Sequence, residues 1–483
     1  MSSVKVTVAP GAIFVDPWVP SLARALTYTK KVKEDKWPFK MMSEKKYMYT
    51  TSKDPYGKVV GLTYEGLWWE VLQHLQKCKI DVEWEDTRPR NELVPVMENL
   101  MELRPLQDRA LDVFLNYPLG VIECPPGFGK TFLFTQLPRL YPDANIVVVT
   151  PRADVVQDIY RRTKEMTLQP KEVRLCRGGR NFPKTGKVVV MTAGSLHKIP
   201  PSWPDILVFD EVHGCATPRQ VTSLERFSCR RYGLSASPSG RLDGADLEVV
   251  GMFGPTQCQV TYPEAEAAGL VCPIKVHMIP VKPAELVDAK SDIDKQRFGY
   301  WQNHTRNQMI AWAARQHGPE EVTLILVKTL EHALFLRLLL PEFFIVHGGV
   351  ASDEEGNAKW QKFCDLGLVQ DTPDFTRNIR NVDSNQLKEM FADGRVKKVI
   401  STPKWREGVD FKSLEVLIRG DGSSGSIDSI QIVGRLSRIY PGKDFGTLYD
   451  FIDLYGPSYE NKSLGRMRHY EKQGWSIQHY RTP

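Results

Sequence analysis

A chain of 483 residues exceeds what one hydrophobic core can serve, and at about 100–200 residues per domain it implies about three domains. With 42% hydrophobic and 25% charged residues the composition is globular, which excludes a disordered chain. Lys and Arg exceed Asp and Glu by 64 − 58 = 6, a balance that permits a polyanionic partner without requiring one.

The eight cysteines are scattered without a CxxC pair, so neither a zinc ribbon nor a secreted disulfide scaffold is indicated, and His197, His213 and His347 lack metal-ligand spacing. No apolar run reaches the roughly 18 residues of a membrane-spanning helix. The opening MSSVKVTVAPGAIFVD lacks the basic, apolar and cleavage regions of a signal peptide, and a soluble cytoplasmic protein is expected. No repeat of solenoid length is found.

Residues 1–95 combine strand-like KVTVA, KYMYTT and KVVGLTY with a helix-like LWWEVLQHLQKC and a final KIDVEWE, the pattern of a small α+β domain. Between 20 and 60 it carries ten Lys/Arg against four Asp/Glu, interleaved with Tyr28, Trp37, Phe39, Tyr47, Tyr49 and Tyr56. That mixture suits phosphate neutralisation and base stacking, although the aromatics equally suit a small core. From 119 to 240 the apolar runs LGVIEC, NIVVVT, KVVVMT, DILVFD and YGLSAS alternate with helical stretches, as in a parallel sheet covered on both faces. A second series, VTLILV, FFIVHG, VKKVIS, LEVLIR and GTLYDF, begins near 320, with the stretch from about 255 to 320 as the connection. The expected fold class is α/β, two tandem parallel-sheet lobes behind a small α+β domain. Its divisions are 1–95, 96–280, 281–455 and a basic, aromatic extension at 456–483.

Three patterns carry chemistry. CPPGFGKT, Cys124 to Thr131, lies between an apolar run and a helix-like TFLFTQLPRL, the setting in which loop amides and a helix N-terminus cradle phosphates. Lys130 would reach the β and γ phosphates and Thr131 would ligate Mg²⁺; Cys124 stands where the pattern GxxxxGK[ST] has its first glycine. Roughly 80 residues on, ILVFDEVH ends a strand in two carboxylates, Asp210 for the Mg²⁺ shell and Glu211 to polarise the attacking water. SIDSIQIVGRLSRIY then places Arg435 and Arg438 three apart on one helical face, with Gln431 before them. Cations supplied there from the second lobe would make hydrolysis depend on lobe closure.

In this order, between about residues 100 and 455, these patterns resemble the superfamily 2 helicases. The resemblance implies RecA-like lobes, ATP and Mg²⁺ as cofactors, and a nucleic-acid partner. LRPLQ would set Gln107 against adenine, and Pro126, Gly127, Phe128, Gly129, Lys130 and Thr131 would form the phosphate loop. Pro151, Arg152, Thr192 and Gly194 in the first lobe, with Thr329 and Thr402 in the second, would hold the nucleic-acid backbone. Ser235 and Ser237 of LSASP, with His213, would couple the ATP site to strand movement. Thr402, Gly408 and Asp410 of VISTPKWREGVD match the backbone-binding and nucleotide-sensing segments. LRPLQ, SASPSGRLDG and EAEAAGLVCP look most like the XPB-type and phage UvsW-type branch. The segment from YTTSKDPYGKVVGLTYEGLWW to KIDVEWED is similar in pattern to the small DNA-binding domain ahead of the motor in UvsW-like proteins.

The resemblance thus implies a DNA helicase acting on branched DNA, expected as a monomeric motor. An RNA helicase, the motor subunit of a restriction complex and a nucleotide-gated DNA clamp remain open. The stretch 350–385 interrupts the second lobe and is expected as a surface insertion, with a wedge or partner contact as the functional alternative. In 456–483, five Lys/Arg stand against two Asp/Glu with Tyr459, Tyr470, Trp475 and Tyr480, which suits a basic surface or a helix packed on the second lobe.

Overall fold

The computed structural model describes residues 3–33, 41–53, 57–88, 93–153, 155–179, 181–237, 243–282, 291–351, 353–370, 372, 379–380, 382–405, 411–423 and 426–480, the side chains of 32, 33, 41 and 426–429 excepted. The chain divides into two compact units, Met1–Thr261 and Tyr262–Pro483.

In the first unit, strands β1 (Val4–Ala9), β2 (Ala12–Asp16), β5 (Tyr49–Lys53), β6 (Val59–Tyr64) and β7 (Val82–Asp86) form a mixed sheet ordered β5-β6-β2-β1-β7. β3 (Thr27–Lys33) and β4 (Met41–Tyr47) pair as a separate antiparallel ribbon. β1 alternates buried Val4, Val6 and Val8 with more open residues, because only one face of this sheet is covered. The covering helix, Trp68–Lys77, turns Val71 and Leu75 inward, four residues apart on one stripe.

The N-terminal module is joined to the rest of its unit by buried charge. Glu65, 5% exposed, accepts a hydrogen bond from Arg231 Nη2 at 2.8 Å, and Arg231 is itself 1% exposed. Lys30 Nζ lies 2.9 Å from Glu248 Oε2 and donates to the Ala216 carbonyl, and Tyr28 donates to the same Glu248 carboxylate. A Cβ on Gly66 would stand 2.0 Å from the Val250 carbonyl, so glycine is required for that approach. Tyr49 stacks on Trp18 with ring centroids 4.4 Å apart, and its hydroxyl accepts from the Val19 amide. Three residues of the basic and aromatic stretch, Tyr28, Lys30 and Tyr49, thus serve packing, whereas Tyr47 is 61% exposed. Trp37, Phe39 and Tyr56 lie outside the described residues.

The first lobe is a seven-stranded, all-parallel sheet of β8 (Leu119–Glu123), β9 (Ile146–Thr150), β10 (Val173–Cys176), β11 (Val188–Thr192), β12 (Ile206–Asp210), β13 (Arg230–Ser235) and β14 (Thr256–Gln259). Its order is β10-β11-β9-β12-β13-β8-β14, and its strands β9 and β12 are apolar up to their last residue because helices cover both faces.

The second unit repeats this plan with β15 (Ile274–Val281), β16 (Thr323–Leu326), β17 (Phe344–Val346), β18 (Lys398–Ser401), β19 (Val416–Arg419), β20 (Gly446–Asp453) and β21 (Ser476–His479). These are also all parallel, ordered β17-β18-β16-β19-β20-β15-β21. Counted from the first strand of each lobe, both sheets read third, fourth, second, fifth, sixth, first, seventh. Both are RecA-like parallel sheets.

Three expectations change. The boundary at 280/281 cuts β15 before its last residue, yet β15 pairs with β20 and β21, so the second unit already begins at Tyr262. The 456–483 extension is integral to that unit: helix Pro457–Lys472 buries Arg466 and Tyr470, and β21 closes the sheet edge. In its described residues the 350–385 stretch is not a surface loop. Its helix Glu354–Asp365 sends Trp360 and Phe363 into the second-lobe core, followed by Leu368, Val369 and Ile379. Residues 352, 371, 373–378 and 381 of that stretch lie outside the described residues.

Candidate nucleotide site

β8 runs into the loop Cys124–Gly129 and the short helix Lys130–Thr135. Gly127 (φ +94°) and Gly129 (φ +102°) adopt the left-handed conformation that bends the loop around an anion-sized cradle. A Cβ on Gly129 would stand 2.1 Å from Arg104 Nη2 and displace that guanidinium, and a φ of +102° disfavours any L side chain there. Cys124 continues the strand, its amide donating to the Ser235 carbonyl at 3.0 Å, which explains why the pattern's first glycine is dispensable. Burial pushes the Cys124 thiol up to about 12, so it stays protonated and inert.

Behind the loop, the Phe128 carbonyl accepts from Gln107 Nε2 at 2.9 Å and from Arg104 Nη2 at 2.7 Å. Gln107 is 0% exposed, and its Oε1 accepts from the Arg104 amide at 3.0 Å. The structure sets Gln107 behind the phosphate loop, where it braces the Phe128 carbonyl. Arg104, adjacent in LRPLQ, is the brace that the sequence reading missed.

Facing the loop, β12 ends in Asp210, and Glu211 follows with φ +53°, a left-handed conformation costing a non-glycine residue about 1–2 kcal/mol. The strained turn brings Glu211 Oε1 to 3.7 Å from Lys130 Nζ, the two side chains being 20% and 13% exposed. Ser235, at the end of β13, donates to Glu211 Oε2 at 3.3 Å and accepts from the Ser237 amide at 3.1 Å. Its single hydroxyl hydrogen is thereby used, so the 2.9 Å contact with His213 requires the Nδ1–H tautomer to donate to Ser235. Burial, then the adjacent Glu211, pushes the Asp210 carboxyl up, opposed by Lys130 and Arg152. Burial opposes ionisation of Glu211 too, but Lys130 and His213 hold its carboxyl below the usual range. Lys130, Glu211, His213, Ser235 and Ser237 thus form one connected cluster, with Arg152 contributing field.

The residues fit a magnesium nucleotide. The glycines leave a side-chain-free cradle, Lys130 points across it, and Thr131 and Asp210 supply the oxygens a hard cation takes. Pro151 and Arg152 follow β9 and Thr192 closes β11, and the two strands pair with Thr192 opposite Thr150. Thr192 Oγ1 lies 3.4 Å from Ser195 Oγ, while Gly194 faces open space.

In the second unit Thr329 caps helix Leu330–Leu339, accepting from the His332 amide, and Thr402 follows β18 with its amide donating to Val346. Helix Ser426–Val433 carries Gln431 and then tightens into a 3₁₀ turn over Gly434–Ser437. Arg435 sits in that turn, its Nη1 donating to the Trp405 carbonyl, and Arg438 is already extended (φ −69°, ψ 128°). The expected shared α-helical face for the two arginines is therefore absent. Leu436 in that turn is buried, and Gly446 packs against it too closely for any Cβ. Gly408 and Asp410 lie outside the described residues.

A family profile described as the res subunit of type III restriction enzymes matches residues 100–240, the span of the loop, the carboxylates and the serine motif. The DNA 3'-5' helicase XPB of Kineococcus radiotolerans is 21% identical over 368 residues, covering 73% of this chain and 60% of the relative. These likenesses support a superfamily 2 helicase motor. The chain matches less than two thirds of the length of its XPB relative. A fragment of a putative HsdR subunit of a type I restriction enzyme from Vibrio vulnificus shares this chain's fold, with a TM-score of 0.54, 14% identity, and 94% and 92% of the two chains covered. T4 UvsW aligns along 99% of both chains at 15% identity with a TM-score of 0.42. No described helix of the chain is long and apolar enough to cross a membrane.

Proposed function

We propose that this chain is an ATP-dependent DNA helicase or translocase that remodels branched DNA, such as forks, Holliday junctions or R-loops. The observation that carries this reading is the convergence of Lys130, Glu211, His213 and Ser235 beside a glycine-turned loop. Lys130 and the loop amides hold the phosphates, Thr131 and Asp210 hold the metal, and Glu211 polarises the attacking water. Mg²⁺, when bound, neutralises phosphate charge. Gln431, Arg435 and Arg438 meet the charge that develops as the γ-phosphoryl group leaves. Gly408 and Asp410 join the nucleotide set on the sequence resemblance alone, as does a role for Gln107 at the base.

Pro151, Arg152, Thr192 and Gly194 in the first lobe, and Thr329 and Thr402 in the second, are the backbone contacts. Contacts of that kind give stepping that depends little on sequence and strongly on salt. Residues 1–95 serve as the DNA-binding module, supported by the exposed Lys31, Lys45 and Tyr47 and by the UvsW-like pattern. The motor acts as a monomer in the cytoplasm, that of a host cell if the chain is phage-encoded.

ATPase stimulation by forked DNA, duplex DNA and RNA, paired with strand displacement with and without ATP, tests this reading. Strongest stimulation and displacement on forks are expected. A preference for RNA makes it an RNA helicase. Tracking along duplex without strand separation makes it a motor of the restriction kind that the family profile describes. Binding without turnover makes it a clamp.

A further inference from the structure

The loop that leads into the Gln431–Arg435 segment starts from the end of β19, and β19 ends in an arginine with no exposed surface. Arg419 Nε donates to Asp421 Oδ1 at 3.1 Å and Nη2 to Asp421 Oδ2 at 3.1 Å. Nη2 also donates to the carbonyl and hydroxyl oxygens of Ser423, at 3.2 and 3.1 Å. Nη1 donates to the Tyr470 hydroxyl at 3.0 Å. Tyr470, also fully buried, donates in turn to Asp450 Oδ2 at 2.6 Å, and Arg466 clasps Asp450 at 2.8 and 2.9 Å. Asp450 belongs to β20, and Arg466 and Tyr470 to helix Pro457–Lys472, which packs on helix Ser426–Val433.

Taking a guanidinium out of water is costly unless its N–H groups are satisfied, and an apolar contact would hold the chain together at lower cost. What the planar fork adds is direction, because its donors fix the angle of whatever they grip. Here the grip is on Asp421 and Ser423, the described residues just ahead of the helix bearing Gln431. The far side of the grip is the C-terminal helix. One buried guanidinium thus ties the described residues ahead of the Gln431–Arg435 element to the helix that packs on it.

We propose that Arg419, supported by Tyr470, is a positioning residue that sets the register of Gln431 and Arg435 for ATP turnover. The proposal rests on the role given to Arg435 above. The test uses the full chain with Tyr470→Phe and Arg419→Lys, each alone and combined with Arg435→Ala. In the otherwise native chain, kcat for nucleic-acid-stimulated ATP hydrolysis falls about tenfold while KM for ATP stays within about twofold. In the Arg435→Ala background the same substitutions change kcat no further, since there is no arginine left to misplace. Equal factors in both backgrounds mean a merely structural role and overturn the proposal. Hydrogen exchange gives a readout independent of turnover: amides of 426–438 exchange faster in Tyr470→Phe, and those of Lys130–Thr135 do not. Should Arg419→Lys fail to fold, Tyr470→Phe decides alone, because Phe keeps the ring packing on Trp475. If the native chain hydrolyses no ATP, the proposed function fails, yet unchanged exchange over 426–438 still overturns the positioning.

Discussion

The two lobes share one strand order but use the end of the fifth strand in opposite ways. In the first lobe β12 ends in Asp210 and Glu211, whose charge is balanced by a lysine across an open loop. In the second lobe β19 ends in Arg419, whose charge is consumed inside the fold. The second and fourth strands, by contrast, are used alike. β9 and β11 lead to Arg152 and to Thr192, and their counterparts β16 and β18 lead to Thr329 and Thr402. A repeated topology thus offers repeated positions, and the sequence decides at each whether a polar group is left for a ligand or satisfied by the protein. The charges beside the open loop should govern turnover, and those sealed inside the fold stability.

The largest expected effect probes the open side. Glu211→Gln keeps the side-chain shape and an oxygen for Ser235 but removes the base, so ATP hydrolysis should fall at least about 100-fold. ATP binding should persist and the melting temperature should hardly move, since the 3.7 Å pair with Lys130 is long and the amide oxygen can still accept from the ammonium. Steady-state ATPase with equilibrium nucleotide binding checks this. Turnover above a tenth of the native rate would remove Glu211 from the chemistry.

The buried side should show the reverse. Arg466→Ala leaves Asp450 ionisable and short of two hydrogen bonds in a site with no solvent, which should cost about 3–5 kcal/mol in urea unfolding. A loss below about 1 kcal/mol would mean that water replaces the guanidinium and that the network is not closed. The first unit supplies a sharper control, because it too has a buried pair, but at the seam with the N-terminal module. Glu65→Ala strands Arg231 there and should cost about 3 kcal/mol. If instead the N-terminal module melts separately with the main transition unmoved, the seam is weaker than its burial implies.

What was legible in the sequence follows the same division. The phosphate loop and the Asp210–Glu211 pair could be read because contiguous residues carry them, and their alternation with apolar strands announced the sheets. The Arg419 network could not, since its members stand at 419, 421, 423, 450, 466 and 470 with no spacing rule. Lys30 read as a solvated base because its partner, Glu248, is more than 200 positions away. Helix 354–365 read as part of an insertion because its buried Trp360 and Phe363 have meaning only against a core built from other segments. Gln107 was placed by resemblance at a base, whereas the brace it makes with Phe128 depends on a loop turn no pattern encodes. The matching strand orders also went unseen, since a topological repeat needs no repeat of residues.

The smallest expected effect uses a titrating group inside the second lobe. His332 is fully buried and its Nε2 contacts Asn307 Oδ1 at 2.9 Å. An amide oxygen only accepts, so Nε2 carries the hydrogen, and the buried Nδ1 has no acceptor among the described residues for a second one, which favours the neutral ring. Burial, and then the nearby Arg306 charge, lowers its pKa from 6.5 to about 3. The unfolded chain takes up a proton below 6.5 that the folded chain refuses, so this contribution is complete above that pH and is lost as pH falls toward 3. At about 1.4 kcal/mol per pH unit the loss between pH 7 and pH 5 is about 2 kcal/mol. Urea unfolding at those two pH values should show that loss in the native chain and a markedly smaller one in His332→Gln. Equal losses would mean that the imidazole is protonated in the folded lobe, beside Arg306, and that the second lobe keeps an open charge where the comparison requires a satisfied one.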